Sequence, residues 1–308
     1  MKIIVIVVTY NGMKWYKNCF DSIRNSSIHA DTIVIDNNSS DGTVQFIKDN
    51  YPEINLIESK VNLGFGKANN IGLKYAIEID ADFVFLLNQD AWVRPDTIEK
   101  LAVKLEENLE YGILSPVHLN GKENELDANF AAYIRPAACS NLISDFIIKG
   151  KAEDKIYPVK FVNAAFWMIS KTCLLTIGGF DPVFPHYGED DNYIGRVEYH
   201  GFRTGIYPKV YGVHDRTFKG RKSLKEIKDR KYIYHLIILT GIYMPFRKCI
   251  FRSFYYLFME SLGHLFHLAY KDIWINLCVS LRLIKTIPKI LNNRRTSKVK
   301  GLSFLPEK

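Results

Sequence analysis

Apolar and β-branched residues gather along the first third of the chain in short runs rather than in a helical repeat. Ile3–Val8, Thr32–Ile35 and Phe83–Leu87 are such runs, with a shorter one at Asn55–Glu58. Unbroken apolar runs of this length predict strands buried on both faces of a parallel sheet. Between them the pattern predicts helices over Trp15–Arg24, Thr43–Asp49, Ala68–Ile79 and Asp96–Glu107. The last starts at Pro95 and has an acidic first turn, both favourable at a helix N-terminus. The alternation predicts an α/β domain whose mostly parallel sheet is covered by helices on both faces. Further along, Asn120–Lys160 has little periodicity and is expected to be loop-rich, Phe161–Ile169 reads as a strand, and Asn192–His200 reads as a helix.

Such sheets bind ligands beyond the carboxyl ends of their strands, so the residues after each run hold the candidate chemistry. Thr9-Tyr10-Asn11-Gly12 follows the first run, Asp36-Asn37-Asn38-Ser39-Ser40-Asp41-Gly42-Thr43 the second, and Asn88-Gln89-Asp90 the third. Any one of these would serve as a turn or helix cap. Three together, on one rim, point to a binding site. Asn62–Asn70 contains Gly64 and Gly66 and opens a helix, as a dinucleotide fingerprint does. Asn69 stands where that fingerprint needs a small residue, and the stretch follows two βα units, so a Rossmann dehydrogenase is disfavoured. Its backbone N–H groups remain available to a phosphate or nucleoside. Glu189-Asp190-Asp191 precedes a helix and reads either as a cap with an acidic first turn or as a source of a general base.

At 308 residues the chain is long enough for about two domains at roughly 150 residues each. A hydrophobic fraction of 47% with 13% aromatics excludes a mainly disordered protein. The five cysteines form no CxxC pair, which argues against a zinc ribbon or a disulfide scaffold and fits reduced thiols. The net charge of +8 is unevenly spread: residues 221–308 carry 18 Lys/Arg against 5 Asp/Glu, and the rest of the chain carries 23 against 28. A nucleic-acid binder carries its positive patch on the main fold, so no nucleic-acid partner is expected.

In the basic tail, Tyr232–Phe246 is nearly all apolar and Ser253–Tyr270 is apolar but broken by Glu260, His264 and His267. The first is shorter than the roughly 20 residues of a spanning helix and the second is interrupted, so neither reads as transmembrane. Two readings stand: helices lying in the membrane interface, or a helical subdomain packed on the body with its basic face in water. Beyond Pro288, Lys289–Lys300 is expected to be disordered. The apolar run Ile3–Val8 is too short for a signal-peptide core.

Val8–Asn11, Ile35–Gly42, Asn62–Gly66 with Asn69, Leu87–Asp90, Gly178-Gly179-Phe180-Asp181, Glu189–Asp191 and Val213-His214 occur in this order. Together they resemble the ordered motifs of family 2 glycosyltransferases, most of all rhamnosyltransferase-like and galactofuranosyltransferase-like bacterial members. The resemblance implies the GT-A fold, a Rossmann-like nucleotide-diphospho-sugar transferase fold with a mostly parallel sheet. It also implies inverting transfer from a UDP- or dTDP-linked sugar to a lipid-linked or polysaccharide acceptor. By position it places Thr9, Tyr10 and Asn11 beside the nucleobase, Asp36 on the base or ribose, Asn38 and Asp41 in the same nucleotide loop, and Gly64, Asn69, Asn88 and Gln89 on the donor. Asp90 matches the last carboxylate of the family's DxD motif and His214 a nitrogen ligand, implying Mg²⁺ or Mn²⁺. Asp190 matches the base, with Asp191 second.

The sequence departs from the family pattern at Asn88 and Asn192, where acidic residues are replaced by neutral amides; the first lowers the charge available to a metal. Asn163, Ala164 and Ala165 are expected on the floor of the sugar pocket, and Trp167 either stacks on a sugar ring or belongs to the core. The implied organisation is a nucleotide-sugar half over 1–118, an acceptor and catalytic half over 119–220, and a basic helical extension over 221–308. The last would hold the enzyme peripherally at the cytoplasmic face of the membrane. Two alternatives accompany this reading: a degenerate membrane-bound scaffold, motivated by Asn88 and Asn192, and a sugar nucleotidyltransferase. The second is disfavoured because Thr9-Tyr10-Asn11-Gly12 stands where a glycine-rich basic loop would be.

Overall fold

The computed structural model describes residues 1–216 and 223–306. In its first half β1 (Ile3–Thr9), α1 (Tyr16–Arg24), β2 (Asp31–Asp36), α2 (Thr43–Asn50), β3 (Asn55–Glu58), α3 (Phe65–Glu78) and β4 (Phe83–Asn88) alternate along the chain. The four strands pair in parallel in the order β3-β2-β1-β4. Alternation along β1 divides the core in two. Ile4 and Ile6 join Ile33, Ile35, Val84, Leu86 and Leu73 on one face, while Val5 and Val7 join Val34, Phe85, Leu87, Tyr16 and Phe20 on the other. A full burial of each such side chain contributes about 1.5–3 kcal/mol, and a one-residue slip would exchange the two sets. Gly72 lets α3 lie directly on β1, since a Cβ there would sit 2.6 Å from Ile6 Cγ2.

The second half contains β5 (Ala91–Val93), α4 (Thr97–Glu107), β6 (Tyr111–Asn120), α5 (Ala128–Tyr133), α6 (Leu142–Lys149), β7 (Tyr157–Pro158), β8 (Phe166–Ser170), α7 (Lys171–Ile177), α8 (Glu189–Tyr199) and β9 (Arg203–His214). The sheet continues β4-β8-β6-β9-β5, with β7 on β9. β8 runs antiparallel to β4 and β6, and β9 runs parallel to β6. The register of β6 and β9 shifts between Ser115 and Val117, opposite Ile206 and Tyr211. Pro116 and Pro208, which lack an N–H for the ladder, fall in that interval. Two boundaries differ from expectation. The strand begins at Phe166 rather than Phe161, because the chain turns through Ala164 and Ala165. α8 begins at Glu189 rather than Asn192, because Gly188 adopts φ 84° and starts the helix three residues earlier.

The tail forms three helices, α9 (Leu224–Thr240), α10 (Phe246–Phe266) and α11 (Tyr270–Ser297). A capping box between Ser223 and Glu226 starts α9, satisfying the free N–H groups of its first turn. Leu236, Leu239, Leu257, Val279 and Leu283 form a third apolar cluster that also takes Val183 and Phe184 from the α/β body. The inner face of the tail is therefore packed on the body. The expectation of disorder over Lys289–Lys300 is overturned: α11 continues through Pro288 to Ser297. Its last turns are buried because Arg294, 5% exposed, donates to Leu239 O (3.0 Å) and Met244 O (2.6 Å), closing the end of α9 with a cation. No helix among the described residues is long and apolar enough to cross a membrane. The expected boundary at 220/221 lies outside the described residues.

Candidate active site

β1 and β2 end side by side, with Thr9 opposite Asp36. Asp36 is buried and accepts hydrogen bonds from Thr9 Oγ1 (2.9 Å), the Ser39 N–H (2.9 Å) and the Ser39 hydroxyl (2.6 Å). Asn11, at φ 49°, donates its N–H to Ser39 Oγ (3.0 Å) and accepts the Ser40 N–H (2.8 Å). Asn38 is exposed at φ 66°. Asp41 accepts from the Met13 N–H (3.3 Å) and from both the N–H (3.2 Å) and hydroxyl of Thr43. Gln89 holds the loop after β1 from below: it accepts the Tyr10 N–H (2.7 Å) and the Tyr16 hydroxyl (3.1 Å) and donates to Tyr10 O (3.2 Å). The Tyr10 ring itself is exposed, held by its own backbone.

On the other side of this loop system, Asn37 accepts the Leu63 N–H (3.1 Å) and donates to Gly64 O (3.4 Å). Gly64 adopts φ 79°, ψ 170°, a region essentially restricted to glycine; a Cβ there would also lie 2.6 Å from Pro185 O. Asn69 is buried and donates to Phe65 O (3.0 Å) in its own helix. The structure thus gathers Thr9, Asn11 and Asp36 into one hydrogen-bonded set through Ser39 and Tyr10, Gln89 and Asp41 into a second through Tyr16 and Thr43, and sets Gly64 and Asn69 where α3 begins.

Asp90 and His214 meet where β4 and β9 end, with Nε2 3.3 Å from Oδ1. His214 is buried edge-on against Phe166. Its Nδ1 has no protein partner, nor does Asn88 Oδ1, and both atoms are buried. A carboxylate oxygen, an imidazole nitrogen and an unpartnered amide oxygen fit a divalent cation, with the imidazole favouring Mn²⁺ over Mg²⁺. Among the described residues no three His, Cys, Asp or Glu side chains group as a metal site. A cation held by such a donor set would need further oxygens, of the kind that substrate phosphates supply.

α8 presents its three carboxylates in its first turn. Glu189 is buried; loss of solvent, then the neighbouring Asp190 charge, push its carboxyl up to about 8. Burial raises the Asp190 pKa above the ordinary range, opposed by the backbone amides of Asp191 and Ala164 and by the Arg216 charge. Asp191 is exposed, yet surrounding protein and then Asp190 bring its carboxyl to about 7. Carboxyls raised in this way hold a proton more readily than an ordinary Asp, a property suited to a general base. Tyr133 lies beside them: burial, then Asp190, push the phenol up to about 12.

Sequence reasoning missed Trp15, Asp127, Asp215 and Arg216. His214, Asp215 and Arg216 diverge from the end of β9. His214 meets Asp90; Asp215 accepts from Trp15 Nε1 (2.8 Å) and pairs with Lys14 (3.0 Å) beside the loop after β1. Arg216 Nε donates to Asp127 Oδ2 (2.5 Å). Asp127 also caps α5, accepting the N–H groups of Asn129 (3.1 Å) and Phe130 (2.9 Å). Arg216 Nη2 is buried without a protein partner, so a guanidinium near Asp190 has unused donor capacity suited to a phosphate. No local pattern could reveal a pair 89 residues apart.

Two of the residues singled out in the sequence serve the core. Trp167 belongs to the core: it is fully buried, stacks on Phe180 at 6.0 Å and donates to Val162 O (3.1 Å), so it has no face for a sugar. Asn192 is also buried and accepts from Arg196 Nε (3.2 Å); the departure from an acidic residue there serves internal packing. Ala164 and Ala165 are buried, while Asn163 keeps some exposure.

Residues 4–167 match the family model Glycosyl transferase family 2. The low-salt glycan biosynthesis hexosyltransferase of Haloferax volcanii is 25% identical over 217 residues, 69% of this chain; the match spans 66% of that relative, just under two thirds of its length. The O-antigen chain rhamnosyltransferase of Salmonella typhimurium is 26% identical over 235 residues, 74% of this chain and 71% of its own. In fold the chain is similar to the crystal structure of GalNAc-T7 with UDP, GalNAc and Mn²⁺, at a TM-score of 0.59 and 13% identity, covering 80% of this chain and 52% of the other.

Proposed function

This chain belongs to glycosyl transferase family 2, and from that premise we propose that it is an inverting glycosyltransferase of cell-surface glycan synthesis. It moves one sugar from a UDP- or dTDP-linked donor to a lipid-linked or polysaccharide acceptor. The observation that carries this reading is the joining of two sets of groups at the end of β9. His214 touches Asp90, and Arg216, two residues on, adds its positive charge to the surroundings of Asp190.

Asp190 accepts the proton of the acceptor hydroxyl as that oxygen attacks the anomeric carbon from the face opposite the nucleotide. The bond to the diphosphate breaks as the new glycosidic bond forms, and the configuration inverts. Asp191 sits beside the base, and its negative charge favours proton uptake by the pair. Asp90, His214 and Asn88 would hold Mn²⁺ or Mg²⁺, whose charge offsets that developing on the departing diphosphate. Arg216 offers a second cation there, and the Asp36 network with Tyr10 receives the nucleoside.

The tail supplies the address. Phe251, Tyr255 and Phe258 on α10 and Trp274, Leu277 and Leu281 on α11 are exposed at helical spacing. Arg247, Lys248, Lys271 and Lys285 form no ion pair among the described residues. Aromatic stripes flanked by free cations suit an anionic membrane surface, consistent with a peripheral position at the cytoplasmic face.

Saturation-transfer NMR with UDP-, dTDP- and GDP-sugars, followed by a transfer assay on membrane extracts, tests the proposal. Nucleotide contact with sugar transfer is expected. Nucleotide contact with transfer of a nucleotidyl group would establish the nucleotidyltransferase instead, and no nucleotide contact would favour the scaffold.

A further inference from the structure

After α11 the chain returns to the catalytic body. The Gly301 N–H donates to Thr176 O (2.9 Å), and the Gly179 N–H donates to Ser303 O (2.7 Å). Asn70 on α3 donates to Phe304 O and to Phe180 O (both 2.9 Å) and accepts the Phe180 N–H (2.6 Å). The Phe304 ring lies 5.0 Å from the Arg196 guanidinium, and Leu305 packs against the main core. Two glycines make room for this return: a Cβ on Gly178 would lie 2.3 Å from Ser303 O, and one on Gly179 would lie 2.6 Å from Asn70 Oδ1. Phe304 itself adopts φ 65°, a left-handed conformation that a bulky residue keeps only where its contacts hold it.

Arg196 links this segment to the acidic turn. Buried on α8, it donates to Ile177 O (2.9 Å), Gly179 O (2.5 Å) and Asn192 Oδ1 (3.2 Å). Asn192 directly follows Asp191. The end of α11 grips the same turn, because Asn293 donates to Asp181 Oδ1 (2.5 Å).

We propose that Gly301–Leu305 is a positioning strap for the transferase site, clamping the Gly178–Asp181 turn and Arg196 so that α8 holds Asp190 in line with the donor. Phe304 and Leu305 are positioning residues; neither touches the reacting atoms. Asn70 lies one residue beyond Asn69 on the helix opened by the Gly64 loop, so one side chain joins the donor side, the α8 side and the strap. The proposal rests on the assignment of Asp190 as base, and its structural half is measured without any sugar.

Phe304→Ala and Leu305→Ala, separately and together, are compared with the full chain and with the conservative Phe304→Tyr. Hydrogen exchange across α8 is expected to accelerate in the alanine variants while the sheet stays protected. Transfer kcat is expected to fall roughly tenfold or more, as misplacement of a reacting group does, with donor KM unchanged and Phe304→Tyr near the original rate. A parallel thermal melt identifies any variant that fails to fold, and the remaining single variant then decides. Unchanged exchange across α8 would overturn the strap whatever the enzyme transfers. Faster exchange with unchanged kcat would overturn its positioning role, and faster exchange in a protein that transfers no sugar would leave the strap standing and remove the proposed function.

Discussion

The two sides of the proposed site, one for the nucleotide and one for the metal and acceptor, differ in how their polar groups are satisfied. On the nucleotide rim, Asp36 accepts three hydrogen bonds, Asn11 donates through its backbone and accepts through its side chain, and Gln89 accepts two and donates one. On the metal and acceptor rim, Asn88 Oδ1, Asn163 Oδ1, Glu189 Oε2, His214 Nδ1 and Arg216 Nη2 are buried without a protein partner. Among the described residues no such atom belongs to the loops after β1 and β2. Each unpartnered buried polar group costs about 1–3 kcal/mol. The rim proposed for the nucleotide is therefore organised without a ligand, which would lower the cost of ordering it on binding. The other rim keeps unused donor and acceptor capacity, which the proposed transfer would direct at groups on which charge develops.

The sharpest test of this contrast is a pair of isosteric changes, one on each rim. Asp190→Asn removes the proton acceptor and is expected to lower kcat by about 10³-fold, within the range of lost general-base catalysis. Donor affinity by calorimetry stays within error, and thermal stability holds or rises because a carboxylate whose ionised form its surroundings disfavour is gone. Turnover near that of the original protein would remove Asp190 from the mechanism. Asp36→Asn acts the other way. Its amide cannot accept from Thr9, Ser39 N–H and Ser39 hydroxyl as the carboxylate does, so urea denaturation is expected to show a loss of about 2–3 kcal/mol together with weaker donor binding. If Asp190→Asn proves the more destabilising of the two, the contrast between the rims fails.

The nucleotide rim was also the more legible in the sequence. Its strands are β-branched runs buried on both faces, and its loops lie next to them in the chain, so period and turn chemistry located Thr9 and Asp36 at the strand ends and Asp41 in the loop five residues on. The opposite rim assembles from residues far apart. Arg216 and Asp127, or Asn70 and Phe304, meet only through tertiary packing. Lys289–Lys300 read as disordered because its cations looked solvent-bound, whereas Arg294 is buried under the carbonyls that end α9 and Asn293 is bonded to Asp181. Composition records the charge of a residue but not the groups that surround it. Trp167 was open to two readings in the sequence, a sugar-stacking ring or a core residue, and packing decides for the core because Phe180 and Tyr193 cover its faces.

The unequal rims should also differ in their response to pH. Glu189 and Asp191 have pKa values raised to about 8 and about 7, so the folded state binds more protons than the unfolded state from about pH 4 upward. Stability therefore decreases as pH rises through this window and the carboxyls are forced to ionise. Denaturant midpoints measured from pH 5 to pH 8.5 should decline, and Glu189→Gln should flatten the decline by on the order of 2 kcal/mol. The acid limb of transfer has the opposite sign, because the Asp190–Asp191 pair must shed a proton before it can accept one from the acceptor. A rate that rises with pH while stability falls would assign both limbs to α8; a flat stability profile in the original protein would show that these carboxyls are already solvated.

The smallest effect concerns Asn88. Its amide oxygen is buried and unpartnered two residues before Asp90, where the family's DxD motif has a carboxylate. Asn88→Asp keeps the shape and adds one negative charge. With no cation bound, that charge would sit near Asp90 and raise its neighbour's cost of ionisation. With a cation bound, the same charge attracts it by about 1 kcal/mol or more at short range, equivalent to on the order of tenfold in affinity. Mn²⁺ titrated against transfer rate should therefore reach half-activation at a lower concentration in Asn88→Asp, while the donor affinity of the metal-free protein falls through repulsion of the diphosphate. An unchanged Mn²⁺ midpoint would mean that residue 88 lies outside the metal shell, leaving Arg216 as the cation that carries most of the diphosphate charge.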